Sequence, residues 1–194
     1  MLASGNFGKL KELRKKLGHI ADFVPQSDFD IETPEETGTT FAENALLKAR
    51  YVANITGLPA LADDSGLSVD YLNGSPGIYS ARFAGPEATD EDNNQKLLNA
   101  LFDAPMESRT ASFHCVLALF YPDKSDQPIL CKGVWAGRIL SAPQGENGFG
   151  YDPLFQPEGL DCTSAELSAE YKNQISHRGK AMEILLAHLS EDAL

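Results

Sequence analysis

The chain has 194 residues, with 16 Lys and Arg against 28 Asp and Glu, which gives a net charge of −12 at pH 7. Apolar residues make up 42% of the sequence, a share typical of folded globular proteins, which excludes a chain that is mostly disordered. So acidic a chain disfavours nucleic acid as a partner, because non-specific affinity for nucleic acid depends on neutralising phosphates. The longest apolar run, 115–121, is too short to cross a bilayer and the N-terminus carries no secretory signal, so we expect a cytoplasmic protein with no membrane partner.

The first part of the sequence predicts two helices. Leucines at helical spacing predict an amphipathic helix over 6–17, and a strand is predicted over 19–24. Thr40-Phe-Ala-Glu43 is a capping box, in which the side chain of each end residue bonds the backbone N–H of the other. It opens a second helix, which Gly57 ends.

The middle of the sequence alternates strands with a helix. Strand-like segments are predicted at 60–62 and 67–72, and Thr89 is positioned to cap a third helix. Both faces of 110–121 are largely apolar, as expected of a strand covered on both sides. The segment 129–140 is predicted to be its antiparallel partner.

The last part of the sequence starts with a long loop and ends with a helix. Four glycines and three prolines predict a loop over 141–159, and loops of this length in compact domains are usually functional. A further capping box spans Thr163 to Glu166, and the last helix begins near Ser176. The order of elements predicts an α/β fold, with a mixed, twisted central sheet and flanking helices, in a single domain over residues 1–194.

The three cysteines are not spaced for a disulfide framework or for a structural zinc site. Cys115 and Cys131 fall within apolar, strand-like segments, whereas Cys162 follows the glycine-rich loop. We therefore expect the first two to be buried, reduced thiols.

A candidate phosphate site lies between the short apolar start of the chain and the first predicted helix. Ser4-Gly-Asn-Phe-Gly-Lys9 would present backbone N–H groups and the positive end of a helix dipole to an anion. It is not a P-loop, which would need Gly in place of Ala3 and Ser or Thr in place of Leu10. Taken alone, such a segment is more often an ordinary turn.

Two pairs of adjacent carboxylates are candidate magnesium ligands. Asp63 and Asp64 end an apolar run, and because side chains alternate along an extended segment, one can bind a metal while the other supports the loop. Glu35 and Glu36 form the second pair. Two carboxylate sources suit Mg²⁺, which takes few protein ligands and keeps substrate oxygens. The alternative, acidic turns on an acidic protein, stays open on these residues alone.

Two cations occupy an unusual place at the start of the last predicted helix. His177 and Arg178 follow Ser176, where they face the positive end of the helix dipole, and Lys172 precedes them. A bound anion or a ligand carbonyl would explain this placement, and an accident of the surface is the alternative. Phe149 lies between two glycines that let the backbone approach a flat ligand, although an aromatic residue under a long loop is more often part of the core.

Six segments together resemble the motifs of one family. In chain order they are Ser-Gly-Asn-x-Gly-Lys, Glu-Glu-Thr-Gly-x-Thr-Phe-x-Glu-Asn-Ala, Ala-Asp-Asp-Ser-Gly-Leu, Pro-Gly-Ile-Tyr-Ser-Ala-Arg, Gly-Phe-Gly-Tyr-Asp-Pro and Ser-His-Arg-Gly. From Ser4 to about Leu189 the chain is similar to the inosine triphosphate pyrophosphatase (Ham1-like) family, and to its bacterial branch in particular. The resemblance implies two lobes around a substrate cleft, Mg²⁺ as cofactor and a homodimer. It also implies hydrolysis of ITP, dITP and XTP to the monophosphate and pyrophosphate.

The resemblance further implies a role for each matching residue. Asp64 would be the proton acceptor and would position the metal together with Glu35. Residues expected to hold the phosphates are Ser4, Gly5, Asn6, Phe7, Gly8, Lys9 and Lys48. Ser65 and Arg82 would contact the substrate. Residues expected to surround the base and sugar are Phe149, Gly150, Tyr151, Asp152, Lys172, His177 and Arg178.

Two other functions stay open on the sequence. A Maf-like nucleotide pyrophosphatase would act on other bases, and a panel of substrates distinguishes it from an inosine triphosphate pyrophosphatase. A non-catalytic nucleotide sensor would bind without turnover, and the presence of Glu35, Asp64 and Lys48 argues against it.

Overall fold

The computed structural model describes residues 1–3, 13, 15, 18, 24–124 and 127–191. The predicted phosphate segment, 4–9, lies outside these residues, as do most of the predicted helix over 6–17 and nearly all of the predicted strand over 19–24. Within the described ranges, no helix has the length and apolar character needed to cross a membrane.

A five-stranded sheet forms the centre of the fold, with its strands side by side in chain order. The strands are β1 (Leu2–Ala3), β2 (Ala60–Val69), β3 (Thr110–Phe120), β4 (Ile129–Ile139) and β5 (Phe155–Pro157). β1 runs parallel to β2, with Leu2 opposite Leu61, whereas β5 runs antiparallel to β4. The sheet is therefore mixed, which confirms the predicted fold class.

Helices flank this sheet, and their ends follow local sequence signals. In the described residues they are α1 (Phe41–Thr56), α2 (Asp90–Ala100), α3 (Ala169–Ile175) and α4 (His177–Glu191). At the start of α1 the Thr40 hydroxyl accepts the Glu43 N–H at 3.2 Å, and Gly57 ends the helix with a left-handed φ of 68°. Thr89 caps α2 in the same way. These two predicted helix starts are confirmed.

Two of the predicted element boundaries are wrong. The segments 60–62 and 67–72 are not separate strands, because β2 runs from Ala60 through Val69. The intervening Asp-Asp-Ser-Gly is part of this strand, and both carboxylates have cationic partners there. The predicted loop over 141–159 contains β5, whose three residues are too few for a periodic signal.

The chain divides into two compact units, each assembled from separated segments. The first contains Met1–Asp64, Cys115–Gly133 and Arg178–Leu194, and the second contains Ser65–His114 and Val134–His177. The second unit has one apolar core, which includes Leu97, Phe113, Trp135, Phe155 and Leu167. Neither unit corresponds to a continuous stretch of sequence.

The first unit has an apolar cluster on each face of its strands. On one face, Leu61 and Leu117 pack with Met182 of α4. On the other face, Ala62 and Ala118 pack with the buried side of α1. Because side chains alternate along a strand, consecutive residues of β2 point to different helices.

Candidate active site

Alternation along β2 sends two adjacent carboxylates to two different helices of the first unit. Asp64 has the same parity as Ala62 and points to the face that α1 covers, where it contacts Lys48. Asp63 has the same parity as Leu61 and points to the face that α4 covers, where it contacts Arg178. The predicted divergence of the two side chains is therefore confirmed.

Lys48 lies between two carboxylates. Its Nζ donates to Asp64 Oδ1 at 2.8 Å and to Glu36 Oε1 at 2.8 Å, and only 6% of the residue is exposed. Burial pulls the pKa of Lys48 down, but the charges of Asp64 and Glu36 outweigh burial and leave this pKa above its usual value. Lys48 is therefore a fixed cation beside two anionic groups.

The cluster of Glu36, Lys48 and Asp64 fits a magnesium ion in its chemistry. With two carboxylates and one ammonium it carries an excess of negative charge, supplied by the hard oxygen ligands that Mg²⁺ prefers. Among the described residues, no group of three or more His, Cys, Asp or Glu is arranged to hold a metal, so a protein-only cage is not formed there. A metal at this cluster would need oxygens from substrate or water.

The structure brings Glu36 to this cluster, whereas Glu35 was the predicted ligand. Glu35 is exposed, and its neighbour makes the contact to Lys48. Both glutamates precede α1 in a segment without regular structure, so no periodicity in the sequence could tell which of the two points inward.

Asp63 joins Arg178 and a cysteine in a second buried cluster. Its Oδ2 accepts from Arg178 Nε at 2.8 Å and from the Cys115 thiol at 3.3 Å. Asp63 is 1% exposed and Arg178 is 2% exposed. A carboxylate of the protein itself thus offsets the unfavourable position of Arg178 at the start of α4, where the sequence alone invoked a bound anion.

Three of the predicted substrate residues meet in the second unit. Asp152 Oδ2 accepts the Phe149 N–H at 2.9 Å and also binds the Lys172 ammonium, which lies 5.1 Å from the centre of the Phe149 ring. Ser164 donates to the other oxygen of Asp152 at 2.8 Å. The buried carboxylate of Asp152 therefore holds an aromatic ring and a cation together.

His177 lies against aromatic rings of the second unit. Its ring stacks on Phe113 with centroids 4.8 Å apart and planes 10° apart, and Trp135 lies 6.3 Å away at 23°. The imidazole is 5% exposed. Phe113 and Trp135 were not among the predicted site residues, because their apolar strand positions signal only burial.

The other predicted substrate residues have mixed surroundings. Tyr151 belongs to the apolar core, where its hydroxyl donates to the Ser80 carbonyl at 2.8 Å. Burial, with a smaller contribution from the Asp90 charge, raises the pKa of Tyr151, so the phenol stays protonated. Arg82 ends a short 3-10 helix with its guanidinium 5.3 Å from the centre of the Tyr79 ring, and Ser65 is partly buried in β2.

Comparisons with known proteins point to one family. The sequence model described as the Ham1 family matches residues 1–188. The chain is 54% identical over 192 residues to a dITP/XTP pyrophosphatase of Vibrio cholerae, covering 98% of this chain and 96% of the relative. It is 56% identical over 189 residues to a dITP/XTP pyrophosphatase of Pseudomonas syringae pv. tomato, covering 97% and 95%. The solved structure of a HAM1 protein from Coxiella burnetii matches with a TM-score of 0.91 and 50% identity, covering 98% of this chain and 97% of that chain.

Proposed function

This chain belongs to the Ham1 family, and from that membership we propose that it is a nucleoside-triphosphate pyrophosphatase. It hydrolyses non-standard purine nucleoside triphosphates, the class to which dITP and XTP belong, to the monophosphate and pyrophosphate. One observation carries the assignment of the reacting centre: Lys48 binds two buried or half-buried carboxylates, one of which is Asp64.

Lys48 suits the phosphate end of the substrate. Phosphoryl transfer depends mainly on positioning and on neutralising charge, and a lysine whose pKa lies above its usual value keeps its charge at any physiological pH. We propose that Lys48 contacts a phosphate oxygen together with the segment from Ser4 to Lys9, which lies outside the described residues. In the free protein, Lys48 also holds Asp64 and Glu36 in place.

Asp64, Glu35 and Glu36 are the residues we propose for the metal, and of the two glutamates Glu36 contacts Lys48 in the free protein. Bound Mg²⁺ would neutralise phosphate charge and acidify a water. A carboxylate that touches a divalent cation is a poor base, because the cation stabilises its ionised form. Asp64 therefore orients the attacking water at least as much as it accepts the proton of that water.

Arg178 and His177 are the residues we propose for the base. Inosine and xanthosine present a keto oxygen at position 6, which accepts from the N–H donors of these side chains. Adenine presents an amino group there, so a donor would face a donor and a polar group would be left unsatisfied. Phe149 supplies a ring for the flat base, with Lys172 and Asp152 fixed beside it. We assign Gly150 and Tyr151 to the sugar and base as well, and Ser65 and Arg82 to contact with the substrate.

We further propose that residues 1–194 act as one catalytic domain, as a homodimer, in the cytoplasm. The cytoplasm is where nucleoside triphosphates are made and used, and reduced thiols are the usual state there. Light scattering on a size-exclusion column reports the mass of the assembly, and a mass of one chain would contradict the homodimer.

The proposed reaction is tested by pyrophosphate release from ITP, XTP, dITP, GTP and ATP, with and without Mg²⁺. We expect release that needs the metal and is far faster with the first three substrates. A preference for pyrimidine or other bases would favour a Maf-like enzyme. Tight binding of ITP without release of pyrophosphate would identify a nucleotide sensor.

A further inference from the structure

Two side chains of α2 form hydrogen bonds with the backbone of Gly150, which follows Phe149. The N–H of Gly150 donates to Asp90 Oδ2 at 2.6 Å, and Asn94 Nδ2 donates to the Gly150 carbonyl at 2.9 Å. Asp90 and Asn94 are four residues apart, so they lie on one face of the helix. Both polar backbone groups of one residue are therefore bound by one helix.

A second carboxylate, that of Asp152, binds the backbone of the neighbouring Phe149. Asp152 accepts the Phe149 N–H at 2.9 Å and binds Lys172, whose ammonium lies over the Phe149 ring. Gly150 itself adopts a left-handed φ of 62°, a conformation that favours glycine at this position. The orientation of Phe149 thus depends on α2 as well as on Asp152.

Asn94 contacts Gly150 through its amide nitrogen and not through its amide oxygen. Its Oδ1 is buried and makes no hydrogen bond in the part of the chain that the structure describes. A carbonyl can only accept, so the amide nitrogen must face Gly150 and the oxygen is left over. An unsatisfied buried oxygen costs free energy, which the contact to Gly150 must offset.

We propose that Asp90 and Asn94 are positioning residues that fix the Phe149–Gly150 segment and so set the affinity for the purine end of the nucleotide. This inference rests on the proposed function, in which Phe149 contacts the base. Without the two side chains the segment samples more conformations, and binding the base must then order it at an entropic cost. We expect binding at the phosphate end to be unchanged, because the hydrogen bonds described for Lys48 go to Glu36 and Asp64.

Two probes separate these ends: inosine monophosphate, which carries the base, and inorganic tripolyphosphate, which does not. For Asp90→Ala we expect inosine monophosphate to bind about tenfold more weakly by calorimetry, the scale of one lost charge-assisted hydrogen bond, while tripolyphosphate binds as before. KM for ITP should rise more than kcat falls. Asp90→Asn, which keeps an acceptor oxygen but no charge, should lie between the wild type and Asp90→Ala.

Glu91→Ala is the matched control, since Glu91 is also acidic and exposed in the first turn of α2. It should bind both probes like the wild type. Asn94→Asp should lose affinity for inosine monophosphate as well, because a carboxylate has no donor for the Gly150 carbonyl. The exchange rate of the Gly150 amide proton, followed by NMR, should rise in Asp90→Ala and stay unchanged in Glu91→Ala.

Equal losses for both probes, equal losses in Asp90→Ala and Glu91→Ala, or an unchanged exchange rate of the Gly150 amide would each overturn the positioning role. Failure of the proposed function looks different. In that case the wild type does not release pyrophosphate from ITP, whether or not it binds inosine monophosphate. Because the binding and exchange measurements need no turnover, the two failures are told apart.

Discussion

Arg178 donates from Nε to Oδ2 of Asp63 across 2.8 Å, and their side chains are 3% and 0% exposed. The pair joins the first turn of α4 to the middle of β2 inside the first unit. A buried ion pair stabilises little beyond what apolar residues of the same size would, but a single buried charge is strongly unfavourable. Removing either Asp63 or Arg178 alone would therefore leave the other charge buried without its partner.

Asp63→Ala should destabilise the protein. The variant leaves the Arg178 guanidinium buried without its carboxylate, which we expect to lower the free energy of unfolding by about 3–5 kcal/mol. Urea unfolding followed by circular dichroism measures this change. The double variant Asp63→Leu/Arg178→Met should recover most of the loss. If Asp63→Ala unfolds at the wild-type urea concentration, the pair has no structural role.

Arg178→Lys tests recognition of the base. Lysine keeps a positive charge for Asp63 but loses the planar fork of donors, so kcat/KM for ITP should fall by roughly 1–3 kcal/mol. Hydrolysis of ATP, which we expect to be slow already, should change much less. The ratio of kcat/KM for ITP to kcat/KM for ATP should therefore fall. A parallel decline with both substrates, at an unchanged melting temperature, would remove Arg178 from base recognition.

Asp64→Asn tests the reacting centre. Asparagine still offers an oxygen to Lys48, so the fold should persist, but the lost carboxylate should lower kcat at least about a hundredfold. Steady-state rates with ITP and saturating Mg²⁺ measure the effect. Asp103→Asn, at an exposed position, serves as the control. Turnover near the wild-type rate in folded Asp64→Asn would exclude Asp64 from the mechanism.

The charge of Lys48 predicts how stability depends on alkaline pH. Its pKa in the folded protein lies above the ordinary value of 10.5, so folding favours the protonated form. The resulting stability is fully present below that ordinary value and is lost as the pH rises through the folded pKa. As the pH rises above 10.5, the wild type should therefore lose stability more steeply than Lys48→Met. Equal slopes in the two proteins would contradict the effect of Asp64 and Glu36 on Lys48.

The three thiols should differ in reactivity. Cys115 and Cys131 are buried, burial raises the pKa of the Cys131 thiol to about 11, and Cys162 is only partly buried. A thiol-specific chromogenic reagent at neutral pH should modify Cys162 first in the native protein and all three in denaturant. Cys162→Ser should abolish the fast phase. A fast phase that survives in this variant would show that a buried thiol is accessible.

Local signals in the sequence predicted much of the fold. The capping boxes at Thr40 and Thr89 act over three residues, and the opposite directions of Asp63 and Asp64 follow from alternation along a strand. These features depend only on neighbours in sequence. The mixed sheet followed from the order of such elements.

Contacts between distant residues could not be predicted in this way. Asp63 and Arg178 are 115 positions apart, and nothing near either residue indicates its partner. For the same reason the sequence did not show that β2 continues through Asp63 and Asp64, which Arg178 and Lys48 neutralise there. The choice of Glu36 over Glu35 likewise depends on where α1 places Lys48.

Because side chains alternate along β2, an insertion or deletion of one residue in this strand changes the face of the sheet to which Asp63 and Asp64 point. Deleting one residue from β2 ahead of Asp63 would turn each carboxylate to the opposite face of the sheet if the pairing with β1 were kept. Asp64 would then face the helix that carries Arg178, and Asp63 would face the helix that carries Lys48. Each carboxylate would then lose the cation that it contacts in the intact strand. Only a change by an even number of residues keeps each carboxylate on its own face of the sheet, so the length of β2 ahead of Asp63 is itself a requirement of the proposed reacting centre.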